Sequence, residues 1–181
     1  MNLPLLLAAI VIAAVILLLF ALAIVNFTIF LDGVPYVPSK KKIVYRVLKI
    51  INPKPNSLFM DLGCGDGYVV RYAAEKFKVN GLGIDLNPIL IVWANLLSLF
   101  TGLRRQARFK TQNVFRADIS RANYIFVYLT PQILEKLAEK FQTEGAPGAL
   151  IISNSFVIKG MEKFLIQTIP IDKVKVFVYQ L

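Results

Sequence analysis

Asp61-Leu62-Gly63-Cys64-Gly65-Asp66-Gly67 is the stretch that decides the fold of this chain. It follows the apolar run Ser57-Leu58-Phe59-Met60 and precedes a helix-like segment, Tyr68 to Phe77. Eighteen residues past Gly67 stands Asp85, in Gly83-Ile84-Asp85. A strand, a glycine turn, a helix, a second strand and an acid at its tip make a nucleoside-binding half of a doubly wound α/β sheet. The strand-to-helix turn needs positive φ, which glycine reaches without steric cost. The helix behind it offers unpaired N–H groups and the positive end of its dipole to an anionic group. Asp85 stands where a carboxylate accepts hydrogen bonds from two ribose hydroxyls.

The spacing narrows the ligand. Dinucleotide sites carry G-x-G-x-x-G, whereas this chain has G-x-G-x-G with Asp61 two residues before Gly63. That variant fits S-adenosylmethionine. Asp61 and the turn of Gly63, Cys64, Gly65 and Gly67 are suited to the amino-acid end of that cofactor, whose ammonium calls for a nearby negative charge. An ordinary glycine-rich turn that binds nothing is the plain alternative. The pair of acids flanking the turn, Asp61 and Asp85, argues against it.

Of the 181 residues 56% are hydrophobic, but unevenly placed. Leu3 to Leu31 holds no charged residue, and its only polar side chains are Asn26 and Thr28. Crossing a hydrocarbon core of ~30 Å takes ~20 helical residues, so this run is long enough for a single transmembrane helix. A cleavable signal peptide competes, since Ala21-Leu22-Ala23 has the form of a cleavage site. The run is too long for a signal core and no basic residue precedes it, which favours an uncleaved anchor. Lys40, Lys41, Lys42, Arg46 and Lys49 follow it, so positive charge puts the catalytic domain on the cytoplasmic side. The expected organisation is an anchor over residues 1–31, a linker and amphipathic pre-domain helix over 32–56, and the methyltransferase domain over 57–181.

Cys64 is the only cysteine and there is no histidine. An intrachain disulfide, a thiolate metal cluster, histidine-ligated zinc and a histidine general base are therefore excluded, and no metal is expected. Without histidine to activate it, Cys64 reads as a small side chain beside the cofactor rather than a nucleophile. The net charge of +10 suits nucleic acid or anionic lipid. Arg104, Arg105, Arg108, Lys110, Arg116 and Arg121 lack the aromatic interleaving of RNA-binding surfaces, so nucleic acid is disfavoured and a solvated or membrane-facing rim is favoured. The lipid bilayer is the partner expected for the N-terminal helix.

Ser39 is suited to cap a helix from Lys40 to Ile51, with Ile43, Val44, Val47, Leu48 and Ile51 on one side and Lys42, Arg46 and Lys49 on the other. The basic stripe suits lipid headgroups or plain solvent. Strands are predicted at Leu58–Asp61, Gly81–Asp85, Ala107–Thr111, Tyr124–Tyr128 and Leu150–Asn154. Helices are predicted at Tyr68–Phe77, from Asn87-Pro88 to about Phe100, and at Pro131–Phe141. Phe164–Ile169 and Val174–Tyr179 close the sheet as an antiparallel pair. This is a Rossmann-like α/β fold with helices on both sheet faces.

Ligands of such sheets bind at the carboxyl ends of the strands. After the third strand, Asn113 can accept from the adenine amino group and Val114 can pack on the ring, although a turn asparagine bonding its own backbone reads equally well. After the fourth, Tyr128 lies beside the transferable methyl and can line the acceptor channel. After the fifth, Asn154 or Phe156 completes the channel wall. Trp93, among Ile89, Ile91, Ala94, Leu96 and Leu97, is expected in the core.

Together, Tyr36-Val37-Pro38-Ser39, the Asp61–Gly67 turn, Asp85-Leu86-Asn87-Pro88, Ala117-Asp118-Ile119-Ser120-Arg121-Ala122 and Tyr128-Leu129-Thr130-Pro131 resemble class I protein-lysine methyltransferases. The subgroup is the one containing the lysine methyltransferases of the mitochondrial ATP synthase c-ring protein and of the adenine nucleotide translocase, with archaeal relatives. The resemblance runs from about Tyr36 to the C-terminus, and eukaryotic members also carry a hydrophobic anchor before the Val-Pro segment. It implies that Tyr36–Ser39 folds over the cofactor and shapes the lysine channel. It also implies that Tyr36, Leu86 and Tyr128 join the cofactor-binding set. Three departures stand out: Cys64 where serine is commoner, Tyr68 where arginine is often found after Gly67, and Asn113 where archaeal relatives usually have aspartate.

The expected reaction is methyl transfer from S-adenosylmethionine to a lysine of a membrane or membrane-associated protein. The amine, with a free pKa of ~10.4, must arrive unprotonated. Alternatives are a lipid, quinone-like or RNA acceptor, or a cofactor-binding assembly module without turnover.

Overall fold

The computed structural model describes residues 2–31 and 37–181, which fall into two compact units, Met1–Pro35 and Tyr36–Leu181. The first is one helix, α1 (Leu3–Leu31). Its stretch Leu3–Ala23 is apolar and exposed, and long enough to cross a membrane. The predicted linker Asp32–Pro35 and Tyr36 lie outside the described residues.

The second unit is built on a seven-stranded sheet. Its strands are β1 (Leu58–Leu62), β2 (Asn80–Asp85), β3 (Ala107–Thr111), β4 (Tyr124–Val127), β5 (Leu150–Asn154), β6 (Leu165–Ile171) and β7 (Val174–Gln180). They lie in the order β3-β2-β1-β4-β5-β7-β6. The first five are parallel, and β7 and β6 close the sheet antiparallel. The chain leaves β1 towards β2 on one side and reaches β4 on the other, so the crevice between β1 and β4 is the switch point where ligands of such sheets bind.

Four helices dress the sheet: α2 (Lys41–Ile51), α3 (Tyr68–Phe77), α4 (Pro88–Phe100) and α5 (Pro131–Glu144). Right-handed crossovers that run in opposite directions from the switch point put α3 and α4 on one face and α5 on the other. Helix α2, grouped with the linker by its sequence position, is a layer of the core. Its Ile43, Val44, Val47 and Leu48 are buried against a cluster that includes Phe59, Val69, Tyr124 and Ile169.

Three local expectations are revised. Ser39 does not cap α2: the helix starts one residue later, Lys40 holds the capping position and no side chain bonds there. The basic stripe of α2 is partly engaged within the protein, because Lys42 and Arg46 pair with Asp172 in the β6–β7 turn at 2.8 and 3.5 Å. Such exposed pairs contribute little to stability. Trp93 is not in the core but 53% exposed. The buried stripe of α4 is Ile91, Ala94 and Ser98; Ser98 Oγ donates to Ala107 O and Asn95 Nδ2 to Phe109 O. That stripe turns Trp93 outward.

Candidate active site

Strand β1 delivers Asp61 to the crevice, and the chain then turns sharply. Gly63 and Gly67 hold φ of 86° and 74°, which other residues reach only with strain. Space forbids a side chain as well. A Cβ on Gly63 would stand 2.6 Å from Leu129 Cδ2, and one on Gly67 would collide with the ring of Phe109. The turn is tied down by backbone bonds from the N–H groups of Gly63 and Cys64 to Ile84 O, at 2.7 and 3.0 Å.

Asp85 fastens the same turn from the tip of β2. Its Oδ2 accepts from the Gly65 N–H and its Oδ1 from the Asn87 N–H, both at 2.8 Å. An ionised carboxylate offers about four acceptor positions, so about two stay open. Asn87 in turn caps α4, accepting from the N–H groups of Ile89 and Leu90, with Pro88 in the first helical turn. Leu86, between the two, is exposed.

The cavity in front of this turn is lined by Val37, Pro38, Ser39, Asp61, Gly63, Cys64, Asp66, Tyr68, Val69 and Tyr128. Asp61 forms its floor. It is 3% exposed, and among the described residues no hydrogen bond reaches its carboxylate. Burial pushes its pKa well above the usual carboxylate range, and the charges of Asp85 and then Asp66 push it further. A buried acid without a partner, facing a cavity, is a seat for a cation. The ammonium of S-adenosylmethionine answers that need, and the open positions of Asp85 answer its ribose. The residues present therefore fit the cofactor.

Burial, followed by the charges of Asp61 and then Asp85, drives the Cys64 thiol far upward, so it stays protonated near neutral pH. Asn113 Oδ1 accepts from the Phe115 N–H at 2.9 Å, the self-bonded turn that the sequence left open; one lone pair of that oxygen remains. Val114 beside it is buried.

The tips of β4 and β5 form the other wall. Tyr128 borders the cavity and stacks on Phe156, with ring centroids 6.4 Å apart and 18° between the planes. Phe156 is 37% exposed. Asn154 is buried and its Oδ1 accepts from Ser155 Oγ, while Ser153 Oγ donates to Phe156 O. These bonds hold the turn that carries Phe156, in which Ser155 has a φ of 75°. The structure thus brings Asp61, Gly63, Cys64 and Tyr128 together around one cavity. Gly65, Gly67, Asp85, Leu86, Asn113, Val114, Asn154 and Phe156 stand outside its lining.

Sequence reasoning passed over several members of the site. Asp66 lines the cavity and accepts from the Tyr68 N–H at 3.0 Å; its charge inside the glycine turn was the available signal. Tyr68 lines it too. Its hydroxyl pKa is raised by burial and then by Tyr72, whose ring stacks on it at 6.0 Å. Leu129 and Phe109, which back the glycines, carry no local signal.

Comparison with known proteins identifies the family. Residues 61–164 match the family described as the ANTKMT methyltransferase domain. A protein-lysine N-methyltransferase of Saccharolobus islandicus is 33% identical over 132 residues, covering 72% of this chain and 82% of that protein. An adenine nucleotide translocase lysine N-methyltransferase of Mus musculus is 29% identical over 68% of this chain, which spans only 53% of that protein's length. Among solved structures, an RNA methyltransferase of Salinibacter ruber in complex with S-adenosyl-L-homocysteine superposes with a TM-score of 0.75 at 28% identity, covering 80% of this chain and 93% of the other. The matched span contains the glycine turn, Asp85 and both walls of the crevice: the chain belongs to the ANTKMT methyltransferase family, and it is an S-adenosylmethionine-dependent methyltransferase.

Proposed function

We propose that this enzyme methylates the side-chain amine of a lysine in a protein that lies in or against a membrane. The observation that carries the reading is the cavity itself. A buried acid, Asp61, to which no hydrogen bond runs among the described residues, closes one end, and a partly exposed aromatic pair, Tyr128 and Phe156, flanks the approach from solvent. The names of the relatives support the acceptor, and the basic segment from Lys40 to Lys49 behind α1 supports a domain on the cytoplasmic side of a single-pass anchor.

Bound at this turn, S-adenosylmethionine supplies a methyl group already made electrophilic by its sulfonium. Asp61 takes the ammonium and is relieved of its burial penalty. Asp85 takes the ribose hydroxyls without releasing Gly65 or Asn87. The free lone pair of Asn113 suits the adenine amino group, and Val114 suits the ring face. Val37, Pro38 and Ser39 shield the cavity from one side; Tyr36, assigned to the same flap by resemblance, precedes them.

Tyr128 and Phe156 provide a wall for the lysine's methylene chain. Stripping water from the amine lowers its pKa, so the pair favours the neutral nucleophile. The Tyr128 hydroxyl can hold the amine in line, which is the larger part of what such a site contributes. Asn154 acts as a positioning residue behind Phe156. Solvent receives the proton, so turnover rises with pH through the neutral range; a flat profile with chemistry rate-limiting would overturn this account. Tethering enzyme and substrate to one membrane raises their effective concentration.

The test is to incubate the full chain with its native membranes and radiolabelled S-adenosylmethionine, then separate protein, lipid and RNA. Label is expected in protein, on methylated lysine after hydrolysis. Label in RNA would favour the activity named for the Salinibacter protein. Label in lipid, or cofactor binding without label in any fraction, would equally overturn the reading.

A further inference from the structure

Helix α4 shows solvent a face that the sheet does not need. Its inner stripe packs on β2 and β3, with Ile91 and Ala94 joining Val70, Ala107 and Phe109 in one buried cluster. On the opposite side, Val92, Trp93, Leu96, Leu99 and Phe100 stand at helical spacing, with Val92 60% and Phe100 81% exposed. At ~100° per residue these five share one contiguous side of the helix. Neighbouring α3, on the same sheet face, turns Glu75 and Lys76 outward instead. A contiguous patch of large apolar side chains marks an interaction site on a soluble domain.

Charge identifies the occupant. From Pro88 to Arg116 there is no acidic residue, while Arg104 and Arg105 are exposed in the turn leaving α4, and Arg108 and Lys110 are exposed on the edge strand β3. An apolar helix face with a tryptophan, followed by a segment that carries cations and no acid, matches the boundary between headgroups and acyl chains of an anionic bilayer.

We propose that the outer face of α4 is a membrane-docking surface for anionic lipid, with Trp93 and Phe100 in the interface and Arg104 and Arg105 among the headgroups. Asn87, which caps α4, is held by Asp85 at the cofactor site. A docked α4 therefore holds the mouth of the crevice at the lipid surface. The proposal does not depend on which acceptor is methylated.

Trp93 is the only tryptophan in the chain, so its emission reports this face alone. The full chain would be reconstituted into phosphatidylcholine vesicles with and without phosphatidylglycerol. With the anionic lipid, brominated acyl chains should quench Trp93 about two-fold, with a blue shift and lost access to iodide. The paired changes Arg104→Glu and Arg105→Glu should abolish that quenching while α1 keeps the protein on the vesicles and cofactor binding stays intact. Trp93 left open to iodide and untouched by brominated lipid would overturn the proposal. So would burial of Trp93 that follows protein density rather than lipid charge, which would mean a second copy, or burial that appears only on adding a substrate protein.

Discussion

The two walls of the crevice are built from different materials. On the side of β1 and β2 the backbone does the work: glycines at positive φ, N–H groups fixed to Ile84 and Asp85, and one buried acid, Asp61, that takes no hydrogen bond among the described residues. On the side of β4 and β5 the surface is a pair of stacked rings, carried by a turn that side-chain bonds hold in place. The first wall can be rigid because its ligand is always the same small molecule. On the function proposed above, the second admits a side chain belonging to another macromolecule, which suits a surface that stays partly exposed and relies on shape and desolvation.

Asp61→Asn is the strongest way to break the contrast. It removes the charge proposed to face the ammonium, and leaving a cation unpaired in a buried site costs about 3–5 kcal/mol. Cofactor affinity should fall at least about 100-fold by calorimetry on the detergent-solubilised chain. The cofactor-free protein should change in the opposite sense. The folded-state pKa of Asp61 is raised above its ordinary value of 3.8, so the folded state binds more protons than the unfolded one above that pH. Wild-type stability therefore falls as pH rises from about 4 through the folded pKa. The asparagine variant should lose this slope and unfold at higher urea than wild type near neutral pH. Unchanged affinity would remove Asp61 from the cofactor wall.

Asp85→Ala should come next. It strips the partner from the Gly65 and Asn87 N–H groups and the acceptors from the ribose. A lost charge-assisted hydrogen bond costs about 1.5–3 kcal/mol, so affinity should fall at least about tenfold. Unlike the change at Asp61, it should also destabilise the free protein by about 1–3 kcal/mol, because the glycine turn loosens. A stable variant with weak binding would separate the ribose role from the structural one.

The asymmetry between the walls also explains what the sequence disclosed. A wall made of backbone writes itself locally: glycines where φ is positive, acids at strand tips, apolar runs between them. The glycine turn, α3, β3 and β5 were legible to the residue, and α4 was legible in extent. Packing between distant segments was not. Nothing near Gly63 announces that Leu129 will press on it, nor near Gly67 that Phe109 will. Trp93 was misplaced because α4 is apolar on both sides, and periodicity cannot orient a helix that lacks a polar face. The core role of α2 was hidden by its position ahead of the first strand. Its pattern showed an apolar stripe without showing which sheet that stripe meets. Asn113 was ambiguous for a chemical reason, since one amide oxygen can satisfy both a turn and an adenine.

Phe156→Ala probes the other wall and should leave the first untouched. Ring stacking is worth about 0.5–1.5 kcal/mol, so turnover should drop about threefold to tenfold while cofactor affinity stays within about twofold. The deficit should be largest at low pH, where a wetter channel leaves more of the lysine protonated. Equal losses in cofactor affinity and turnover would mean that the ring supports the cofactor side, and the division between walls would fail.

The smallest expected effect belongs to Ser39. A serine that caps a helix contributes about 1 kcal/mol, and its position before α2 invites that role. The structure gives it another: Ser39 borders the cavity, Lys40 occupies the capping position, and no side chain bonds the first turn. Ser39→Ala should therefore leave unfolding within about 0.5 kcal/mol of wild type. Any change should appear in the KM for cofactor or acceptor, with a smaller effect on kcat. A loss of a full capping contribution in urea unfolding would return Ser39 to the helix, and the segment from Val37 to Ser39 would then belong to the scaffold of α2 rather than to the rim of the site.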